Sequence, residues 1–427
     1  MKKLLAVILT SVLIAGMLIG CGGKGTDKPA AGGGSDAKED VVLKVVWFGD
    51  GDEGQSFMRL AAKYEEENPN IKVELIEVPF NELESRLRTM INGGEIPAMA
   101  RLNYLGPYKN QLIDLGDYVS DREDFINSFG EGLKFVFDGK VLGAPNDVTA
   151  NGLIYNKTLF DQAGVSVPGS PEEIWTWDEW KEAMQKVVDN SDAQYGLVFD
   201  KTTQRFSTLL YQAGGGFLSK DLSESAIDTP ENRRAVEFFV DLHNSGLVPR
   251  SIWLGAEDAN SMFRTGQVAM HLGGSWLINN YRDDIKDFEW GVTYMPKEAR
   301  RSTVPGGKWL SAFQGSGVEA EAAAFIEWLS KPEINAIYCQ ENYFISQVIG
   351  NEQLDYDFGS EFFAIFNDEL AATSERPGNE WGFPEFTGQI NVDFRDQLSE
   401  VIAGNITVDE YMKNMTELFT ETLNSIE

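Results

Sequence analysis

Cysteine and histidine are nearly absent from this chain of 427 residues, which holds two of each. Cys21 and Cys339 lie far apart, and that excludes both a disulfide framework and a cysteine-rich metal site. His243 and His271 leave little scope for imidazole chemistry. No H-E-x-x-H, G-x-S-x-G, P-loop or G-x-G-x-x-G occurs at a suitable strand–helix junction. Positive charge is also scarce: 36 Lys and Arg stand against 67 Asp and Glu, a formal net charge of -31. Without a basic stripe, such a chain repels nucleic acid and anionic headgroups, and its acidity reads as a solubility feature. What remains is ordinary for a globular protein, with 42% hydrophobic and 24% charged residues. The length exceeds one common core, so two lobes are expected.

The first segment is a targeting device. Lys2 and Lys3 precede an apolar and small-residue run from Leu4 to Ile19, too short for a bilayer span of about 20 residues and suited to a signal peptide. It ends in "LIGCGG", which resembles the lipobox of bacterial lipoprotein signals. That resemblance implies cleavage of residues 1–20 and acylation of Cys21, where two acyl chains suffice for stable anchoring. An ordinary cleaved signal with a chance cysteine is the alternative. Residues 21–40, "CGGKGTDKPAAGGGSDAKED", lack apolar periodicity and read as a lipidated cysteine followed by a flexible tether. No later run approaches membrane length, so the expected product is a soluble body anchored on the extracytoplasmic face of the cell membrane.

The fold begins at Val41. "VVLKVVWF" reads as a strand, followed by turn residues and a helical pattern from Gln55 to Asn68. "NIKVELIEVPF" alternates as a second strand and leads into the helix "NELESRLRTMINGG". This β-α-β-α start predicts a parallel sheet with helices on its faces. Ligands of such sheets sit beyond the strands' carboxyl ends, which makes Gly49 to Gly54 a candidate binding loop. An EF-hand is excluded there, because position five is Gly54 and position twelve is Ala61. "VLGAPNDVTANGLIYNKTLFDQAG" shows two apolar strand-like pieces around a polar centre, then a helix stopping at Gly164. Thr176 with Glu179 forms a capping box. Terminal helices are expected from Phe394 to Ala403 and from Val408 to Ile426. Cys339, in "INAIYCQENYF", is expected to be a buried inert thiol.

"GQVAMHLGGSWL" places Trp276 directly after Gly273, Gly274 and Ser275. Val268, Met270 and Leu272 alternate onto one strand face, and the glycines end the strand. Ser275 is then expected to cap a helix beginning at Trp276. The indole would project beside a strand's carboxyl end, with packing in the core as the alternative. His271 points opposite to Met270 and reads as a satisfied core histidine.

Four stretches together resemble the extracellular solute-binding proteins of ABC importers, the family of maltose- and oligosaccharide-binding proteins. They are "VVWFGDGDEG", "APNDVTANGLIYNKTLFDQAG" with "TWDEW", "FRTGQVAMHLGGSW", and "VPGGKWLSAFQGS" before "AAAFIEWLSKP". With the lipobox they span nearly the whole chain in the family's order. The resemblance implies a periplasmic-binding-protein-like α/β fold, with two α/β lobes, a hinge of crossing segments and an interlobe ligand cleft. Lobe 1 would hold 41–147 plus 303–350, and lobe 2 would hold 148–302 plus 351–427. It also implies a monomer that captures a sugar or oligosaccharide and delivers it to membrane permease subunits, with no catalysis, cofactor or metal.

By the same resemblance Trp276 stacks on the sugar. Asp50, Asp52 and Glu53 match the first ligand-contacting loop, although a solvated acidic turn accounts for them equally. Asn103 and Tyr104 fall where the family shows an acidic or aromatic contact; "PAMARLNY" departs there from the common "PD". Asp147 and Asn151 flank the first hinge crossing, with structural hydrogen bonding as the alternative. Gly306 and Gly307 resemble the second hinge, where glycine permits close approach of backbone to ligand. Trp309 stacks on ligand or packs in lobe 1. Asp200, Arg205 and Trp381 lie in regions of variable specificity contacts. Two alternatives remain: the same fold binding a peptide, polyamine or chelate, and a surface glycoside hydrolase with paired carboxylates.

Overall fold

The computed structural model describes residues 40–49, 53–79, 82–130, 133–382 and 389–425. The expectations for the signal peptide, for Cys21 and for Asp50 and Asp52 fall outside the described residues. Ten strands are described: β1 (Val41–Phe48), β2 (Ile71–Val78), β3 (Met99–Leu102), β4 (Val136–Phe137), β5 (Lys140–Val141), β6 (Ala144–Asn156), β7 (Tyr195–Val198), β8 (Val268–Gly274), β9 (Trp290–Thr293) and β10 (Pro305–Ala312). β1 and β2 pair in parallel from Val41–Ile71 to Phe48–Val78, joined by the helix Glu53–Glu67. This is the predicted β-α-β start, and both strands carry the β-branched residues that suit a buried parallel sheet.

One path of pairing runs β2-β1-β3-β10-β6-β8-β7, with β9 also on β6. The long strand β6 belongs to both lobes. Its residues Ala144–Ala150 pair with β10, and Asn151–Tyr155 pair with β8. The polar centre of "APNDVTANGLIYN" therefore does not separate two strands, as its sequence suggested; it lies within a single one. Asn146, Asp147, Thr149 and Asn151 are all buried, and each finds hydrogen-bond partners, as buried polar groups must. Asn151 donates to Thr208 Oγ1 at 2.9 Å, and Thr303 Oγ1 donates to the carbonyl of Asn151 at 2.8 Å.

Aromatic rings pack within the one continuous core of the described residues. In lobe 1, Trp47, Phe57, Tyr64, Phe325 and Trp328 pack ring to ring. In lobe 2, Trp177 stacks on Phe238 and Phe239 meets Trp253. The helix Pro332–Asn342 packs on the lobe 1 side, where Tyr338 lies 6.2 Å from Trp47. The helix Ser360–Ala371 serves lobe 2: Phe366 fills the space a side chain at Gly152 would take. The C-terminal helices, Gln389–Ala403 and Val408–Asn424, bring Phe394 and Phe419 against Phe217.

Local signals hold in several places. Gly164 ends its helix in the left-handed conformation at φ 65°, and the Thr176–Glu179 capping box is formed. Cys339 is buried, and burial pushes its thiol pKa up, so it is inert at neutral pH. His271 is buried as expected but only half satisfied: its Nδ1 lies 2.6 Å from the Tyr281 hydroxyl, while its Nε2 is buried without a hydrogen-bond partner.

Candidate ligand cleft

The strand crossing positions a cavity of about 360 Å³ between the lobes. It is built in layers. Asn103 and Tyr104 follow β3 at its carboxyl end, and Thr149 lies on β6. Gly306, Gly307, Lys308 and Trp309 all come from β10. A regular strand sends consecutive side chains to opposite faces, yet Lys308 and Trp309 both line the cavity. The pairing with β6 shifts between these two residues, and such an irregularity re-aims a side chain. Gly307 makes room for Trp309, since a Cβ there would stand 2.5 Å from Trp309 Cη2 and 2.8 Å from Leu133 Cδ1.

Lobe 2 supplies the facing wall. Thr202 caps the helix Thr203–Gln212, accepting from the Arg205 amide at 3.2 Å. That cap turns Thr202, Gln204 and Arg205 toward the cavity. Trp381 comes from the short helix Glu375–Trp381, and its Nε1 donates to Ser207 Oγ at 3.2 Å. The helix is anchored by buried Glu380, which accepts from the Tyr211 hydroxyl and from the Phe217 and Leu218 amides.

Trp276 lies half-buried in the same wall, with the Arg205 guanidinium 4.1 Å from its ring centroid. The two preceding glycines serve space rather than torsion. Gly274 has φ 176°, which any residue adopts, but a Cβ there would stand 1.9 Å from Trp276 Cζ3 and 2.5 Å from the Ala150 carbonyl oxygen. The expected cap is not formed. Ser275–Leu277 is a 3-10 turn with no side-chain cap, and the α-helix follows at Ile278–Asp284. Ser275 Oγ instead accepts from the Ala150 amide at 3.2 Å. The hydroxyl ties the tryptophan turn to the crossing strand.

Of the residues expected to meet ligand, the structure gathers Asn103, Arg205, Trp276, Gly306, Gly307, Trp309 and Trp381 around the cavity. Glu53 and Asp147 are placed elsewhere. Both are buried against Arg101, at 3.0 and 3.2 Å, in an ion-pair network beneath the sheet. Their carboxylates neutralise that guanidinium, which also lies over the rings of Trp47 and Phe48. Asn151 does not line the cavity either. Its Oδ1 accepts from Arg205 Nη1 at 2.9 Å and so positions that residue. Asp200 stands behind, 3.6 Å from Arg205 Nε. Sequence reasoning passed over Lys134, Thr149, Thr202, Gln204 and Lys308. Only Thr202, a helix N-cap, and Lys308, between the hinge glycines and Trp309, carried a local signal.

Electrostatically the wall is rich in donors. The Tyr104 hydroxyl is pushed up to about 12 by burial, with nearby Arg205 opposing the shift, and it remains a phenol. Trp309 Nε1 is buried without an acceptor. Among the described residues the lining holds no Asp, Glu, His or Cys. Crossed strands thus run beside a cavity lined by three tryptophans.

Residues 49–336 match the bacterial extracellular solute-binding proteins, and the chain belongs to that family. It is 26% identical over 331 residues to a binding protein of Brucella abortus, covering 73% of this chain and 77% of that one. It is 24% identical over 360 residues to the maltotriose-binding protein of Pyrococcus abyssi, covering 79% and 75%. The fold matches the ABC substrate-binding protein of Listeria monocytogenes in complex with cycloalternan. There the TM-score is 0.77 at 24% identity, with 90% of this chain and 100% of that one covered.

Proposed function

We propose that this protein captures a sugar or oligosaccharide between its lobes and delivers it to the permease of an ABC importer. The observation that carries this reading is the cavity wall itself. Trp276, Trp309 and Trp381 surround one space, together with amide, hydroxyl and backbone groups. A sugar ring offers flat C–H faces to aromatic surfaces and a rim of hydroxyls to polar groups. The maltotriose-binding relative and the cycloalternan-bound neighbour support the ligand class.

In this reading Asn103, Arg205, Trp276, Gly306, Gly307, Trp309 and Trp381 contact the ligand, Asn151 and Asp200 set the orientation of Arg205, and Glu53 and Asp147 hold lobe 1 together. Asp50 and Asp52 extend the rim by analogy with the family's first loop. Cys21 carries the lipid that tethers the protein outside the cell membrane. Ligand contact with both lobes stabilises the closed arrangement, which the permease recognises. A saccharide that binds the folded protein raises its melting temperature by linkage. A thermal-shift panel of mono- and oligosaccharides, neutral and acidic, tests this; no shift with any of them overturns the carbohydrate reading.

A further inference from the structure

Trp381 reaches the cavity on a helix that cannot hold itself in place. That helix, Glu375–Trp381, has seven residues, Pro377 and Gly378 among them, and its N-cap Ser374 makes no side-chain cap. Helices this short are not stable alone, and an interior glycine weakens them further. The fold therefore has to fix both the direction and the register of this one. Its buried residues are Pro377, Glu380 and Trp381, and one of these three is a carboxylate.

Glu380 is fully buried, an unfavourable place for a carboxylate unless donors surround it. Four do. Oε2 accepts from the Tyr211 hydroxyl at 2.8 Å and from the Phe217 amide at 2.9 Å. Oε1 accepts from the Leu218 amide at 3.1 Å and from Arg376 Nε at 2.8 Å. Burial and the adjacent carboxylate push the Tyr211 pKa well up, so that hydroxyl keeps its proton and donates. Arg376 Nη2 donates in turn to the Leu218 carbonyl at 2.6 Å, and its guanidinium fills the space of a Cβ at Gly216. Asn232 holds the same turn: its Oδ1 accepts from the Gly216 amide at 3.0 Å, and its Nδ2 donates to the Gly216 carbonyl at 2.8 Å. The carboxylate thus docks on backbone that is itself fixed.

Trp381 follows Glu380 directly, so the register that the carboxylate fixes also aims the indole. Its Nε1 reaches Ser207 Oγ at 3.2 Å, on the helix Thr203–Gln212 that carries Tyr211 and the cavity residues Gln204 and Arg205. We propose that Glu380 is the positioning residue of the ligand site: its carboxylate docks the helix Glu375–Trp381 on residues 216–218 and thereby places Trp381 in the cavity wall. An apolar residue would bury as much surface without choosing the register, because it answers neither backbone amide. Glutamine has the shape and not the chemistry. Each oxygen of Glu380 faces a backbone N–H, so either orientation of a glutamine amide sets its NH2 group against a backbone donor. The role in binding rests on the saccharide reading above; the placement of Trp381 does not.

Glu380→Gln tests this on the full chain labelled with 5-fluorotryptophan. In fluorine NMR, Trp381→Phe assigns one of the ten tryptophan signals, and Trp276→Phe and Trp309→Phe assign two others. The expected result is a shifted or broadened Trp381 signal in Glu380→Gln with the Trp276 and Trp309 signals unmoved, which a general loosening would not give. In calorimetry with the best saccharide of the panel, Glu380→Gln should weaken binding roughly 10-fold or more, as loss of a buried tryptophan contact does. The loss should match that of Trp381→Ala, and the double variant should bind no more weakly than either single one. Should Glu380→Gln fold poorly, Arg376→Gln, at a side chain 31% exposed, removes one of the four donors and should move the Trp381 signal by less. An unmoved Trp381 signal in the variant that folds overturns the proposal, as do affinity losses of Glu380→Gln and Trp381→Ala that simply add. Failure of every saccharide overturns the ligand reading, while the fluorine signals still decide whether Glu380 places Trp381.

Discussion

Gly274→Ala tests the tightest packing in the cleft. The added methyl would stand 1.9 Å from Trp276 Cζ3 and 2.2 Å from Cη2, where carbon atoms prefer about 3.5–4.0 Å. Turning the indole away relieves only part of this, because the Ala150 carbonyl oxygen lies 2.5 Å from the same point and belongs to the crossing strand. Backbone conformation adds nothing, since the extended φ of 176° suits alanine. Overpacking of this kind costs about 1–3 kcal/mol of stability. Displacing the indole should also remove roughly 100 Å² of apolar contact with a bound ring, which is about 2.5 kcal/mol at ~25 cal/mol/Å². That corresponds to affinity weakened about 60-fold.

Urea unfolding and calorimetry with the best saccharide of the panel measure the two effects. A cycle with Trp276→Ala separates them. In the tryptophan-less background the affinity penalty of Gly274→Ala should largely vanish, whereas the contact with the Ala150 carbonyl should keep part of the stability loss. A Gly274→Ala protein with unchanged stability and affinity would refute the packing argument.

Two further outcomes follow from buried charge. Arg101→Met leaves the carboxylates of Glu53 and Asp147, both at most 1% exposed, without their cation, and should destabilise the protein by about 3–5 kcal/mol in denaturant unfolding. An unchanged midpoint would show that the network contributes nothing. His243 and His271 are both pushed down to about 4 by burial, below the ~6.5 of an unfolded histidine. The folded state keeps them neutral, so the stability they contribute is complete above about pH 6.5 and is lost as pH falls toward 4, by roughly 3 kcal/mol for each. Imidazole signals titrating near the ordinary value in NMR spectra would contradict this.

Local signals were legible wherever a short stretch makes its own partners. The β-α-β start, the Gly164 stop and the Thr176 capping box all depend on residues a few positions apart. The same holds for the half of the site that motifs mark: Trp276 behind two glycines, and Trp309 behind Gly306 and Gly307. The donors Lys134 and Gln204 were illegible, because nothing in their local pattern distinguishes a cavity-facing residue from a solvated one. Acidic residues misled for the opposite reason. Glu53 and Asp147 look like ligand carboxylates until Arg101, far away in sequence, is seen between them.

By itself the sequence determined most of the element types and the α/β class, since periodicity, caps and composition are local properties. Tertiary structure alone decided which charges face the cleft. Ser275 illustrates the difference: a serine before a helix is a cap by local rules, but here its oxygen meets the Ala150 amide of another strand. Partners far apart in sequence compete with local ones, and burial decides the outcome, because a buried polar group must be satisfied by whatever the fold brings within reach.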